Sequence, residues 1–174
     1  MKREVANRLT GVVPTELSDP TLQDSAVVVP IRESDSTGAE IVFIRRTAYR
    51  DEHAGEIGLP GGRSNPGDDF PRETALREFT EETGVSITNV DLLGRVDDVA
   101  AETGYRIVPF VGHVDPNATF DPCETEVEEL VFVPLAVLQE QYDGSDQPKF
   151  EYDDATIWGA TGQIVGSVLN VLEE

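Results

Sequence analysis

One short helix between glycine loops constrains this chain more than any other feature. Residues 71–83 read Pro-Arg-Glu-Thr-Ala-Leu-Arg-Glu-Phe-Thr-Glu-Glu-Thr. Asp69 is placed to cap the helix, Pro71 suits its first turn, and Gly84 suits its C-terminal end. At about 100° per residue, with Glu78 at zero, Glu82 falls at about +40° and Glu81 at about −60°. Ala75, Phe79, Thr83 and Leu76 fill the next arc, from about +60° to about +160°. Three carboxylates therefore share one stripe beside the face that must be buried.

Clustered anions raise one another's pKa unless counter-charge is close. Arg77 stands four residues from both Glu73 and Glu81 and can pair with each. Glu78 and Glu82 are then left for a cation. Ligand sets made only of oxygen suit hard divalent ions such as Mg²⁺ or Mn²⁺. Gly61-Gly62, upstream, can bring a backbone carbonyl close where a larger residue could not. A bare Arg-Glu-x-x-Glu-Glu segment is more often a solvated helix face. The double glycine, Asp68 and Gly84 shift the reading toward a metal site.

The rest of the chain sets the frame. A length of 174 residues suits one domain spanning 1–174, with enough core to fold unaided. No apolar run reaches the roughly 20 residues that cross a bilayer, and Met1-Lys2-Arg3-Glu4 does not open like a signal peptide. The single cysteine, Cys123, excludes an internal disulfide, and with no export signal it leads us to expect a cytoplasmic protein. The 34 acidic residues exceed the 13 basic ones by 21 and are spread along the whole chain. Such self-repulsion is relieved in molar salt, where the screening length falls to about 3 Å. The composition thus reads as adaptation to a salty cytoplasm, as in halophilic archaea. No basic patch offers a surface to nucleic acid. The partner expected is a small nucleotide-type molecule, with neither nucleic acid nor membrane, and a homodimer is compatible with this composition.

The pattern predicts a helix over about 2–9, a buried strand over 25–31, a turn at 34–39 and its hairpin partner at 40–46. A Gly/Pro-rich loop runs from about 51 to 68. Strands follow at 90–98 and 105–114, then at 127–133, with a helix opening at Pro134 and ending near 141. A strand near 149–152 precedes a last helix over about 161–172, with Ile164, Val165, Val168, Leu169 and Leu172 on one face. Such alternation implies an α/β or α+β sandwich with helices covering a sheet.

The stretch 62–85 resembles the Nudix box, which Gly62, Arg77, Glu78, Glu81, Glu82, Gly84 and Val85 match. Two departures stand out. Asp68 replaces the usual glutamate, and one extra residue separates it from Arg77. The resemblance implies a Nudix-type α/β/α sandwich with a mixed central sheet. It implies a metal held by the Gly62 carbonyl and by Glu78, Glu81 and Glu82, with Glu81 and Glu82 also taking part in catalysis. Asp68, Arg77 and Gly84 would be structural. The candidate final base is Glu126, within Glu124-Thr125-Glu126-Val127-Glu128-Glu129; a solvated acidic run is the equal alternative.

The flanks are similar to the coenzyme A pyrophosphatase subgroup. They include Arg45-Arg46, Arg50, His53-Ala54-Gly55, Leu59-Pro60-Gly61-Gly62, Thr74 to Glu78, Thr103-Gly104-Tyr105, Val108 to Gly112 and Trp158-Gly159-x-Thr161. Leu59 replaces the usual Phe, and Arg50 sits one place from the expected arginine. The resemblance implies hydrolysis of CoA to 3′,5′-ADP and 4′-phosphopantetheine. Arginine matches phosphate geometry, so Arg45, Arg46, Arg50 and Arg63, with Gly61, are the candidate substrate contacts. ADP-ribose, NADH or damaged nucleoside triphosphates are the alternative substrates, and a non-catalytic nucleotide-binding module is the alternative class. No calcium-loop motif occurs.

Overall fold

The apolar run at 25–31 has no polar break, so a strand there must be covered on both faces. The structure, a computed structural model that describes residues 1–47 and 55–174, makes it the middle of β1 (Gln23–Ser34). Arg50 and His53-Ala54 lie outside the described residues. β7 (Tyr105–Val114) runs parallel along one edge of β1, from Gln23↔Tyr105 to Ile31↔His113. The other edge is shared. β4 (Gly61–Arg63) opposes Ser25 to Val27, and β2 (Gly38–Arg46) opposes Ile31 to Ser34.

β2 also carries β3 (Ile57–Gly58) and β8 (Val127–Pro134), while β5 (Val90–Arg95) and β6 (Val99–Ala100) lie against β7. The sheet is therefore mixed. Its faces alternate along β1. Val27, Val29 and Ile31 join one core with residues of α1 (Lys2–Thr10), α3 (Leu135–Gln141) and α4 (Gly159–Glu173). Ala26 and Val28 join the other, with Ala75 and Phe79 of α2 (Arg72–Thr83). This is the α/β/α sandwich with a mixed central sheet. Among the described residues no helix is long and apolar enough to cross a membrane.

Several local expectations need correction. Pro71 is the residue before α2 rather than its first turn, and Asp69 does not cap with its side chain. Instead the Asp69 carbonyl accepts from the Glu73 N–H at 2.9 Å, and the Asp69 N–H donates to Glu73 Oε2 at 3.3 Å. That contact takes Glu73 away from Arg77. The strand expected over 90–98 breaks after Arg95. Asp97 and Asp98 there turn to accept from the backbone N–H groups of Thr15 (2.7 Å) and Leu17 (3.0 Å), tying the N-terminal segment down. The expected strand near 149–152 is β9 (Phe150–Tyr152), which pairs with an unforeseen β10 (Ala155–Ile157). Within the stretch read as loop up to 68 lie β3 and β4.

Candidate active site

α2 forms where the wheel places it, with Gly84 closing it in the left-handed conformation at φ 73°. Phe79 and Ala75 are fully buried against the sheet. That packing carries the helix, since removing a buried Phe side chain costs about 3–5 kcal/mol. It also draws Glu82 inward: the residue is only 1 % exposed, deeper than a stripe beside the core required. Buried carboxylates need donors. The backbone N–H of Gly61 donates to Glu82 Oε1 at 2.7 Å. Glu82 Oε2 faces Arg46 Nη1 at 3.7 Å, an ion pair longer than a hydrogen bond. Burial pushes the Glu82 carboxyl up to about 7, against the opposing pull of Arg46 and the Gly61 N–H and with the charges of Glu78 and Glu126 adding to it.

Glu78 is raised too, mainly by burial, with Arg77 pulling the other way. Arg77 is the hub of this side. It reaches Glu78 at 2.8 Å, Glu81 at 3.5 Å and Asp68 at 2.9 Å, and donates to the Arg63 carbonyl at 3.0 Å. These acids raise its pKa still further. Asp68 accepts as well from the Asn65 N–H and the Thr74 hydroxyl, each at 2.9 Å, and these bonds, the Arg77 one foremost, hold its carboxyl down at about 2. Glu78 is therefore not left unpaired, as the sequence suggested; its nearest cation is its own neighbour. Glu81 stands at the rim, with its side chain 54 % exposed.

Gly62 lies flush against Glu78. A Cβ there would come within 2.5 Å of the Glu78 carboxyl carbon. Glu126 approaches from another element. The N–H groups of Glu126 and Val127 both donate to the Cys123 carbonyl, at 3.0 and 2.8 Å, and the Cys123 N–H reaches the Glu82 carbonyl at 3.3 Å. This turn anchors the acidic run to the end of α2 and brings the Glu126 charge within reach of Glu78 and Glu82.

Gly61, Gly62, Glu78, Glu82, Arg46 and Glu126 thus come together. Arg45 does not join them. It bonds Glu129 at 2.7 Å and Asp154 at 2.9 Å, and alternation along β2 puts it on the side of Ile41 and Phe43, away from α2. The Gly61 N–H is engaged by Glu82 and so positions that carboxylate. Arg63 is exposed and, among the described residues, has no acidic partner. Two contributors were missed. Gly58 packs under the Arg46 guanidinium, in ordinary contact at 3.4 Å from where a Cβ would stand. The Cys123 turn carries Glu126. Neither has a signal in local sequence, since both depend on chain segments meeting in space.

Among the described residues no three His, Cys, Asp or Glu side chains converge as a ready-made metal cage. The donor chemistry nevertheless fits a hard divalent ion. Two partly or fully buried carboxylates, both with raised pKa, stand with a glycine backbone against one of them, and one oxygen of Glu82 has only a distant cation.

The NUDIX domain family matches residues 21–153. The chain is 32 % identical over 136 residues to an uncharacterized Nudix hydrolase, NudL, of Yersinia enterocolitica, covering 72 % of this chain and 70 % of that one. The fold is similar to that of an Ap4A hydrolase of C. elegans, with a TM-score of 0.56 at 15 % identity, over 67 % of this chain and 83 % of that one. It is similar also to the NUDIX domain of Shewanella oneidensis NrtR, crystallised with ADP ribose, with a TM-score of 0.53 at 20 % identity, over 78 % and 86 %.

Proposed function

The chain belongs to the Nudix hydrolase family, and we propose that its substrate is coenzyme A, cleaved at the pyrophosphate bond to 3′,5′-ADP and 4′-phosphopantetheine. Nudix hydrolases act on pyrophosphate bonds of nucleotide derivatives with divalent cations. The observation that carries the hydrolytic reading is Glu82, buried at 1 % exposure yet held for use, with one oxygen fixed by the Gly61 N–H and the charges of Glu78 and Glu126 beside it. A carboxylate kept in that setting for packing alone would be a net cost.

Glu78, Glu82 and the Gly62 carbonyl would hold Mg²⁺ or Mn²⁺, with Glu81 at the rim. When bound, such ions neutralise charge on a diphosphate and acidify an attacking water. The residues themselves do the positioning. Gly61 orients Glu82, Arg77 and Asp68 brace Glu78, and Glu126 is the candidate base, on the side facing both carboxylates. Arg63, exposed and without an acidic partner among the described residues, is the described arginine best placed to meet substrate phosphate in a chain of net charge −21.

The coenzyme A assignment draws on the flanking residues, from Arg45-Arg46 through Leu59-Pro60-Gly61-Gly62 to Trp158-Gly159. The test is a substrate panel of CoA, ADP-ribose, NADH, diadenosine polyphosphates and 8-oxo-dGTP in molar KCl with Mg²⁺ or Mn²⁺, with products identified by mass. CoA should give the highest kcat/KM and yield 4′-phosphopantetheine. Preference for ADP-ribose or NADH would move the substrate and leave the site intact. No turnover of any member would favour a binding module.

A further inference from the structure

Arg46 was read from sequence as a substrate contact, but its place in the fold gives it an earlier partner. We propose that Arg46 is the resident counter-charge of Glu82, that it competes with the divalent ion for Glu82 Oε2, and that it thereby couples metal binding to diphosphate binding. The inference rests on the metal reading above and adds to it.

Three independent features build the position of Arg46. The first is alternation along β2, which puts the consecutive side chains of Arg45 and Arg46 on opposite faces of the sheet. Arg45 goes to Glu129 and Asp154, and Arg46 goes to Glu82 on the α2 side. The ladder keeps this arrangement by leaving Glu128 of β8 unpaired, with Arg45 opposite Glu129 and Arg46 opposite Val127. The second is the pinning of the strand end on both sides of Arg46. Its N–H donates to the Glu56 carbonyl at 3.0 Å, and its carbonyl accepts from the Gly55 N–H at 3.0 Å. The third is Gly58, over which the guanidinium packs, 3.4 to 3.8 Å from where a Cβ would stand. A side chain reaching beyond Cβ there would take the space that Arg46 occupies.

The separation also matters. At 3.7 Å the Arg46–Glu82 pair attracts without a hydrogen bond, while the other Glu82 oxygen is locked to Gly61 at 2.7 Å. One oxygen of Glu82 is fixed and the other is held loosely by charge alone. A divalent ion drawn to Oε2 meets a positive guanidinium that is largely shielded from water, with 22 % of its side chain exposed. Repulsion between cations is stronger there than in bulk solvent. A diphosphate reverses the balance, because the guanidinium then has phosphate oxygens to bind. Metal and diphosphate should each strengthen the binding of the other, and Arg46 is the side chain through which they do so.

The test is Mn²⁺ binding to the full chain, followed by electron paramagnetic resonance of free Mn²⁺ at pH 8.5, with and without a non-hydrolysable methylene diphosphate analogue of ADP. Native protein should bind Mn²⁺ weakly alone and more tightly with the analogue. Arg46→Met should bind Mn²⁺ about fivefold or more tightly than native without the analogue, and should lose most of the gain the analogue brings. Arg46→Lys, which keeps the charge, should stay near native and shows that the site tolerates substitution. Mn²⁺ affinity that is unchanged or weaker in folded Arg46→Met, or an analogue effect of native size, overturns the inference. Absence of Mn²⁺ binding in native protein, or full Mn²⁺ binding by Glu82→Gln, would instead overturn the metal reading itself.

Discussion

The N–H of Gly61 donates to Oε1 of Glu82 at 2.7 Å across 21 positions of sequence. This bond joins the two halves of the site. Gly61 belongs to β4, held in register against β1 by Ala26 and Val27, and Glu82 belongs to the last turn of α2, held by Phe79. The carboxylate is thus aimed by main chain on one side and by helix packing on the other.

Replacing Glu82 with Gln keeps that bond and removes the charge. We expect turnover to fall about a thousandfold or more, with the fold retained by circular dichroism. Stability should move the other way. The folded pKa of Glu82, about 7, lies above its ordinary 4.5. The folded state therefore binds more protons than the unfolded one between those values, and its stability falls as pH rises through that window. In EDTA at pH 8, ionised Glu82 costs the native fold about 3 kcal/mol. Thermal melts should place Glu82→Gln above native at pH 8 and show the gap closing toward pH 5. A lower Tm for the variant at pH 8 would contradict this burial cost.

Asp68 behaves oppositely. Its carboxyl is held down at about 2, below the ordinary 3.8, chiefly by Arg77. The contribution is present above pH 3.8 and is lost as pH falls toward 2. Asp68→Ala should therefore melt below native at pH 6, and the two melts should converge near pH 2. Arg77 freed from Asp68 should also shift Glu78, so kcat should drop further than a distant surface change would cause. Equal melting of the two proteins at pH 6 would remove Asp68 from the bracing of the site.

The helix and its stripe were legible because 3.6-residue periodicity is a local property, and Phe79, Ala75 and Gly84 announce it together. The central strand was legible from its unbroken apolar run. What escaped depends on long-range pairing. Asp97 and Asp98 look like strand ends and instead hold Thr15 and Leu17, some 80 positions away. The β9–β10 hairpin was hidden in an acidic stretch whose turn residue, Asp153, takes φ 52°, a conformation aspartate tolerates better than most residues. The Arg46–Glu82 pair depends on β2 and α2 meeting across 36 positions of sequence, which local pattern does not show. Helix spacing suggested that Arg77 would reach Glu73, but Asp69 claimed that side chain first.

The net charge of −21 makes a separate forecast. Raising KCl from about 0.1 M to about 1 M shortens the screening length from about 10 Å to about 3 Å. Surface repulsion should weaken while buried pairs such as Asp98 with Arg95 and Arg106 persist. Tm should therefore rise steadily with KCl in scanning calorimetry. A flat or falling Tm would set aside the reading of a chain suited to a saline interior.

The two adjacent glycines should fail in different ways. A Cβ at Gly61 would stand 2.7 Å from the Val27 Cα, against the backbone of β1. Backbone in the central strand cannot yield cheaply, so Gly61→Ala should lower Tm and disturb Glu82 at once. A Cβ at Gly62 would meet the end of the Glu78 side chain, at 2.5 Å from its carboxyl carbon. That group can rotate away, so Gly62→Ala should melt close to native while Mn²⁺ binding and kcat fall together. Circular dichroism melts with Mn²⁺ titrations of both variants separate the two cases. A Gly62→Ala protein with native melting and native Mn²⁺ affinity would show that the Glu78 carboxylate does not need its place beside Gly62 to hold the ion.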